Sequence, residues 1–224
     1  MGNFSNAFLN AEVLAKYAPS ILEGAGVTLA LSVLIVLAGT GLGLALASAR
    51  ALGPMAARLA IVAFADVFRA LPPLVLILIA YFGLPSVGVF LSSFMVLFAV
   101  LTLVLAAFAE EIFWAAITSV SRGQWEAARS TGLGRPATLA YVVLPQAVRL
   151  ALPPLTNRAI AITKMTALGT VIGVSDILNQ ATTAQSFSGN ASPLLLAAVA
   201  YVVIFLPLVV ASRWLEARFA ARRT

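Results

Sequence analysis

The sequence predicts an all-α integral membrane protein whose chain crosses the bilayer on five transmembrane helices. Three observations carry that reading. The composition is 62% hydrophobic and 10% charged with a mean hydropathy of +1.03, whereas an ordinary soluble domain carries about 25% charged residues. Five apolar runs approach the roughly 20 residues that a helix needs to span a hydrocarbon core. Lysines and arginines also gather in alternate connections between those runs, which is a sign of sidedness.

Residues 1–23 intersperse Asn3, Asn6, Asn10, Glu12, Lys16 and Glu23 with Phe4, Phe8, Leu9, Val13 and Leu14. That spacing predicts an amphipathic segment lying along a membrane face. It lacks a basic start followed by an apolar core and a small-residue cleavage site, so it is expected to stay on the chain. Residues 24–224 are read as one transmembrane domain. Span one covers 24–49, with Gly39, Gly41 and Gly43 placed for close helix approach. The connection from Arg50 to Arg58 leads to span two, 59–82, interrupted by Pro72 and Pro73. Asp66 and Arg69 lie three apart on this span, either as a mutually satisfied pair or in contact with a solute. Tyr81-Phe82-Gly83-Leu84-Pro85 marks an interfacial aromatic and a turn.

Span three covers 87–109 and continues as helix through Glu110, Glu111 and Trp114 to Thr118. The two glutamates are expected to pair with loop arginines, or to couple to ions if the protein is gradient-driven. After them comes Ser121–Pro145, with Arg122, Glu126, Arg129 and Arg135. Each such group costs about 2.5–3.5 kcal/mol at a bilayer centre, so the stretch of about 119–145 is placed in water between spans three and four. Its middle reads as a short helix. Ser121 is the expected N-cap with Gln124 three residues on, and Gly132 suits the left-handed position after a helix end. Trp125, Ala128 and Gly132 oppose Arg122, Glu126 and Arg129, a mixed face that suits a partner groove.

Span four, 155–174, follows an expected break at Pro153 and Pro154. Thr156, Thr163 and Thr170 recur every seven residues, with Thr166 nearby and Asn157 and Lys164 on the adjacent stripe. Such a stripe either hydrogen-bonds to other spans or lines a solute path. Lys164 is the sharpest residue in it, because a buried ammonium needs an acid, a carbonyl or an anionic ligand. Ser175–Ser192 is polar, a loop or surface helix; its Asn190-Ala191-Ser192 sequon is too short a match to carry weight. Span five covers 193–211 and Arg213, Arg218, Arg222 and Arg223 close the chain.

Counted by side, arginines fill the connection after span one, the central stretch and the tail, and Lys16 stands alone opposite. That count places the N-terminus outside and the C-terminus in the cytoplasm. The net charge of +6 is spread over these loops, which argues against nucleic acid as a partner. With no His and no Cys the chain lacks His metal sites, thiol chemistry and disulfides, and no metal or catalytic site is expected. Neither Lys16 nor Lys164 follows a glycine-rich phosphate loop. Uphill transport would therefore need energy from a partner or an ion gradient.

Glu126-Ala127-Ala128, Gly132 and Val142-Val143-Leu144-Pro145 resemble the E-A-A-x3-G-x9-I-x-L-P signature of ABC importer permeases, with Val142 for isoleucine. Leu144-Pro145-Gln146-Ala147-Val148-Arg149, Leu152-Pro153-Pro154-Leu155-Thr156-Asn157, Val171-Ile172-Gly173-Val174 and Phe68-Arg69 with Pro72 extend the likeness from about residue 20 onward. The chain is thereby identified as a member of the binding-protein-dependent transport inner membrane component family, in the histidine/glutamine/glutamate-type uptake branch. The resemblance implies the type I ABC importer permease fold, with Ser121–Pro145 holding a cytoplasmic coupling helix. Trp125, Glu126, Ala127, Ala128, Arg129 and Gly132 would contact an ATPase, and Arg69, Asn157, Thr163, Lys164, Met165 and Thr166 would lie along the substrate path. Partners would be two cytoplasmic ABC ATPase subunits, which bind the ATP and Mg, a second permease, identical or homologous, and a periplasmic solute-binding protein. The expected solute is an amino acid or a similar compound, and the expected location is the bacterial inner membrane. Met165 stands where this branch commonly has an acid, and Phe113-Trp114-Ala115-Ala116-Ile117 replaces a basic, glycine-containing run. A gradient-driven secondary transporter is the alternative; it calls for an inverted repeat, which the sequence does not show. A non-transporting scaffold sits poorly with the polar fourth span.

Overall fold

The computed structural model describes residues 6–220; Asn3, Phe4, Arg222 and Arg223 lie outside that range. Helix α1, Ala11–Leu52, begins where the Asn10 side chain accepts hydrogen bonds from the Glu12 and Val13 amides, each at 3.1 Å. Its 42 residues extend about 63 Å, and no break separates the amphipathic start from the first span. Ile21, Gly24, Thr28, Leu31, Ile35, Gly39, Gly43 and Ala47 form one buried stripe at steps of three and four. That stripe lies against α4, Ser93–Ser119, at the centre of the molecule. A Cβ on Gly43 would sit 2.5 Å from the Ala109 Cβ, so glycine is what lets the two backbones meet. Gly41, expected to serve the same purpose, faces open space instead.

Between these helices the chain makes a sharp excursion. Helix α2, Met55–Ala70, and helix α3, Pro73–Gly83, meet at 102° across Leu71 and Pro72. Pro72 and Pro73 lack the amide donors that would continue α2, and proline pushes its preceding residue out of helical geometry. The expected second span is thus two half-length helices and not one interrupted rod. Leu84–Val87 forms a single 3₁₀ turn, and Ser92 caps α4 by accepting from the Met95 amide.

Helix α5, Arg122–Ser130, ends at Gly132, whose φ of +90° places it in the left-handed region. The Gly132 amide donates to the Arg129 carbonyl at 3.0 Å. The expected capping box does not form: the Ser121 side chain makes no cap bond, and Gln124 reaches Gln146 instead. Helix resumes at once in α6, Arg135–Thr138, widens through a π turn at Leu139–Val143 and continues as α7, Leu144–Lys164. Pro145 explains the wide turn, since it has no N–H for the carbonyl four residues back and its ring crowds that carbonyl.

Pro153 and Pro154 were expected to break the helix, yet α7 runs straight through them. Ala147, Ala151, Leu155 and Ala159 form a buried stripe along α7, and that packing offsets the lost backbone bonds. The actual change comes later: Met165–Ile172 tightens into 3₁₀ helix and ends at Gly173. The polar stretch after it is mostly helical. Asp176 caps α8, Ile177–Ser188, which buries Ile177, Ala181 and Ala184. Helix α9, Ser192–Ala220, completes the described chain.

Four helical stretches, 6–52, 93–119, 135–172 and 192–218, are long and apolar enough to cross a membrane, and the α2–α3 pair makes a fifth crossing if it counts as one. The core is a chain of three apolar clusters. One joins Leu31, Ile35, Leu97, Leu101 and Ile162; another joins Ala47, Phe113, Val143 and Ala147; a third joins Ile21, Ile177 and Ala197.

Candidate functional site

Helix α5 stands apart in composition and exposure. Ala128 is buried and Trp125 half-buried, and both turn toward the chain's own body, where Trp125 meets the cluster around Phe113 and Val143. Glu126, Ala127, Arg129 and Gly132 face outward. The helix therefore has two sides: one packed on α6, the π turn and the cluster around Phe113, the other offering a small residue, an acid and a base. Beside it Glu126, Arg129, Ser130, Gly132, Leu133, Gly134 and Arg135 line an open hollow of about 450 Å³. Arg122 and Arg135 add exposed positive charge on the same end of the molecule.

The polar tract of α7 resolves differently. The Thr156, Thr163 and Thr166 hydroxyls donate to the carbonyls of Leu152, Ile160 and Thr163 at 2.8, 3.1 and 2.8 Å. These hydroxyls are spent within their own helix. Thr170 donates to Asp176 at 3.0 Å. Asn157 bonds to Glu216, and it accepts from the Ser212 hydroxyl at 2.6 Å, tying α7 to α9. Met165 is half-buried against the central cluster. Lys164 opens outward into a cavity of about 500 Å³ lined by Ala167, Tyr201, Val202, Phe205, Leu206 and Val209. Its ammonium lies 5.9 Å from the Phe205 ring centre, and no carboxylate among the described residues pairs with it.

A charge cluster gathers the remaining acids. Glu110 is fully buried and receives both hydrogen bonds from one Arg50 nitrogen, at 3.0 and 3.2 Å. Arg50 also lies 3.7 Å from Glu111 and stacks over Trp114 at 4.3 Å. Arg69 reaches Glu111 at 3.2 Å and Asp66 only at 3.9 Å, so its main partner is on α4 and not on its own helix. Arg158 packs its guanidinium 3.9 Å from the Phe108 ring. This places Arg69 apart from Lys164, in a network that holds α1, α2 and α4 together.

Residues 39–221 match the family described as binding-protein-dependent transport system inner membrane component. The chain belongs to that family. Among its relatives, a glutamine transport system permease protein from Escherichia coli (strain K12) is 36% identical over 205 residues, covering 89% of this chain and 93% of the relative. A probable amino-acid ABC transporter permease protein from Bacillus subtilis (strain 168) is 33% identical, covering 77% and 76%. An arginine transport system permease protein from the same organism is 32% identical, covering 84% and 87%. A chain in a crystal structure of an amino acid ABC transporter superposes with a TM-score of 0.82 at 32% identity, covering 92% of this chain and 96% of that one. A methionine ABC transporter in an inward-facing conformation shares the fold at 21% identity and a TM-score of 0.73.

As a member of this family the chain is a multi-pass inner-membrane component of a transport system. Within that frame, sequence reasoning missed two features. The glutamates do pair with a loop arginine as expected, but that Arg50 is the one is visible only in the structure, where the Gly39–Gly43–Ala47 stripe docks on α4 and carries Arg50 to Glu110. Ser175–Ser192 reads as a loop or surface helix, and the structure makes it mostly helix; the cap role of Asp176 was not read, although an acid directly before an apolar turn is an N-cap signal. It is fully buried and accepts from the Asn179 amide, Thr170 and Tyr201 at 2.9, 3.0 and 3.3 Å. Burial raises its pKa above the ordinary aspartate value, and those hydrogen bonds act against the rise.

Proposed function

We propose that the chain is the permease subunit of an ATP-driven ABC importer that passes an amino acid or amino-acid-like solute through the inner membrane. The outward face of α5 carries this reading: an exposed charged helix, braced from behind by Trp125 and Ala128, on a chain with no phosphate-binding loop of its own. In this reading Glu126, Ala127, Arg129 and Gly132 dock in an ATPase, while Trp125 and Ala128 pass its movement into α4 and α7. The N-terminus lies outside, and α5 and the C-terminus lie in the cytoplasm. Two ATPase subunits bind the ATP and Mg, a periplasmic binding protein delivers the solute, and a second permease, identical or homologous, completes the pore.

The solute path runs past the cavity at Lys164. An unpaired ammonium among aromatic and aliphatic walls suits the carboxylate of an amino acid whose remaining body is uncharged. Thr163, Thr166 and Met165 shape the backbone that presents Lys164, Asn157 ties that segment to α9, and Arg69 sets the width of the opposite side through α4. The amino-acid relatives support this class of solute.

The test is uptake in proteoliposomes with the cognate ATPase and binding protein present. Gly132→Leu forces a side chain into left-handed geometry at a strain of about 1–2 kcal/mol, which distorts the end of α5 without touching the membrane helices. Uptake should be abolished with membrane insertion unchanged. Normal uptake in that variant would sink the proposal.

A further inference from the structure

A second cavity lies beside the core-facing stripe of α7, reaching it at Ala159. It is a groove of about 620 Å³ between α1, α7 and α9, running past Val33, Leu37, Thr156, Ala159, Leu208 and Trp214. Its polar lining groups are already occupied. The Ser32 hydroxyl donates to the Thr28 carbonyl at 2.7 Å, Thr156 and Thr163 donate to carbonyls of α7, and Ser212 donates to Asn157. The groove therefore presents almost only hydrocarbon along its length, and a polar solute would gain little in it.

Its end on α9 is different. Trp214 is 62% exposed there, as an aromatic at a membrane–water boundary would be. Arg213 and Arg218 are exposed beside it, with the Arg218 guanidinium 5.2 Å from the Trp214 ring centre. Neither arginine makes an ion pair among the described residues, and the nearby Glu216 carboxylate accepts from Asn157. The site thus joins a dry apolar slot to two cations at one mouth.

We infer that this groove seats an anionic phospholipid, one acyl chain lying along α1, α7 and α9 and its phosphate held by Arg213 and Arg218. A chain of methylenes fills a slot whose hydroxyls are all satisfied, and a phosphate supplies the acceptors that two free guanidinium groups need. Cations in the last turns of a membrane helix attract anionic headgroups. A zwitterionic lipid fits the slot equally but leaves the arginines less well matched. The inference needs only that the chain sits in a bilayer, so it stands apart from the identity of the solute.

The test measures binding of phosphatidylglycerol and phosphatidylcholine with identical acyl chains to the detergent-purified full chain with its accompanying subunits, read by native mass spectrometry and by the melting midpoint. Phosphatidylglycerol should bind about thirtyfold more tightly, from two basic contacts near the surface, and should raise the midpoint where phosphatidylcholine does not. Arg213→Gln with Arg218→Gln should erase that preference while leaving the lipid-free midpoint unchanged. Val33→Trp, which fills the slot from its exposed rim, should reduce binding of both lipids. Equal binding of the two lipids, or a preference that survives the arginine substitutions, would overturn the inference. So would efficient disulfide formation between copies bearing Val33→Cys, which would make the groove a seam between subunits.

Discussion

Arg50 and Lys164 are both cations set among apolar helices, and their surroundings are opposite. Arg50 gives two hydrogen bonds to the fully buried Glu110 and stacks on Trp114, so its charge is matched inside the chain. Lys164 has an aromatic ring at 5.9 Å and an open cavity in front of it. A charge completed by its own fold serves the fold, because losing one partner strands the other in low dielectric. A charge that has only a ring beside it among the described residues is the one the proposed function assigns to the solute. The difference separates two jobs that look identical in a sequence, where both are basic residues next to apolar runs.

Breaking the first of these should have the largest effect. Glu110→Leu leaves the partly buried Arg50 guanidinium with only the longer 3.7 Å contact to Glu111, and should cost about 2–3 kcal/mol of stability. Thermal unfolding of the purified protein checks this, and Arg50→Leu in the same background should restore part of the loss. A double variant as unstable as the sum of the two singles would remove the pair from the account. Lys164→Met should behave in the opposite way, with stability changed by less than about 0.5 kcal/mol and uptake reduced at least tenfold. Loss of folding in Lys164→Met would erase the contrast.

Asp176 gives the smallest effect and refines the same comparison, being a buried acid matched by neutral donors only. Its pKa is raised by burial, so the native state holds the proton over a pH range where the unfolded chain has lost it. Stability from this residue is complete below the ordinary aspartate range and declines as pH climbs through the raised value. Melting midpoints measured across that range should slope downward with pH, and Asp176→Asn should flatten the slope.

The apolar runs made the helical membrane fold legible, because length and hydropathy alone decide which segments can cross a bilayer. The short helix around Glu126 and its glycine stop were legible too, since φ of +90° at Gly132 leaves few other residues at ease. Proline positions misled in both directions. Pro72 and Pro73 turn the chain by 102°, whereas Pro153 and Pro154 leave α7 unbroken. Identical dipeptides differ because the α7 pair follows a stripe of alanines already packed in the core, and the other pair joins two helices with separate packing. The pairing of Glu110 and Glu111 with a loop arginine was legible, but which distant residues meet was hidden for a related reason. Arg69 prefers Glu111 over the local Asp66, and Arg50 finds Glu110, only after α1 and α2 have docked on α4. The threonine stripe was visible as a pattern, yet its hydroxyls turn back on their own helix, a choice that periodicity does not encode.

The central claim is that the outward face of α5 meets a partner ATPase while its inward face is anchored on this chain. The chain contains no cysteine, so single cysteines report without background. Ala127→Cys, Ala128→Cys and Phe187→Cys would each be expressed with the ATPase and treated with a short thiol-to-amine crosslinker in membranes. Strong crosslinking to the ATPase from Ala127→Cys, little from the buried Ala128→Cys and none from Phe187→Cys, which is exposed on α8, is the predicted result. No ATPase crosslink from Ala127→Cys, or one equally strong from Phe187→Cys, would contradict the account.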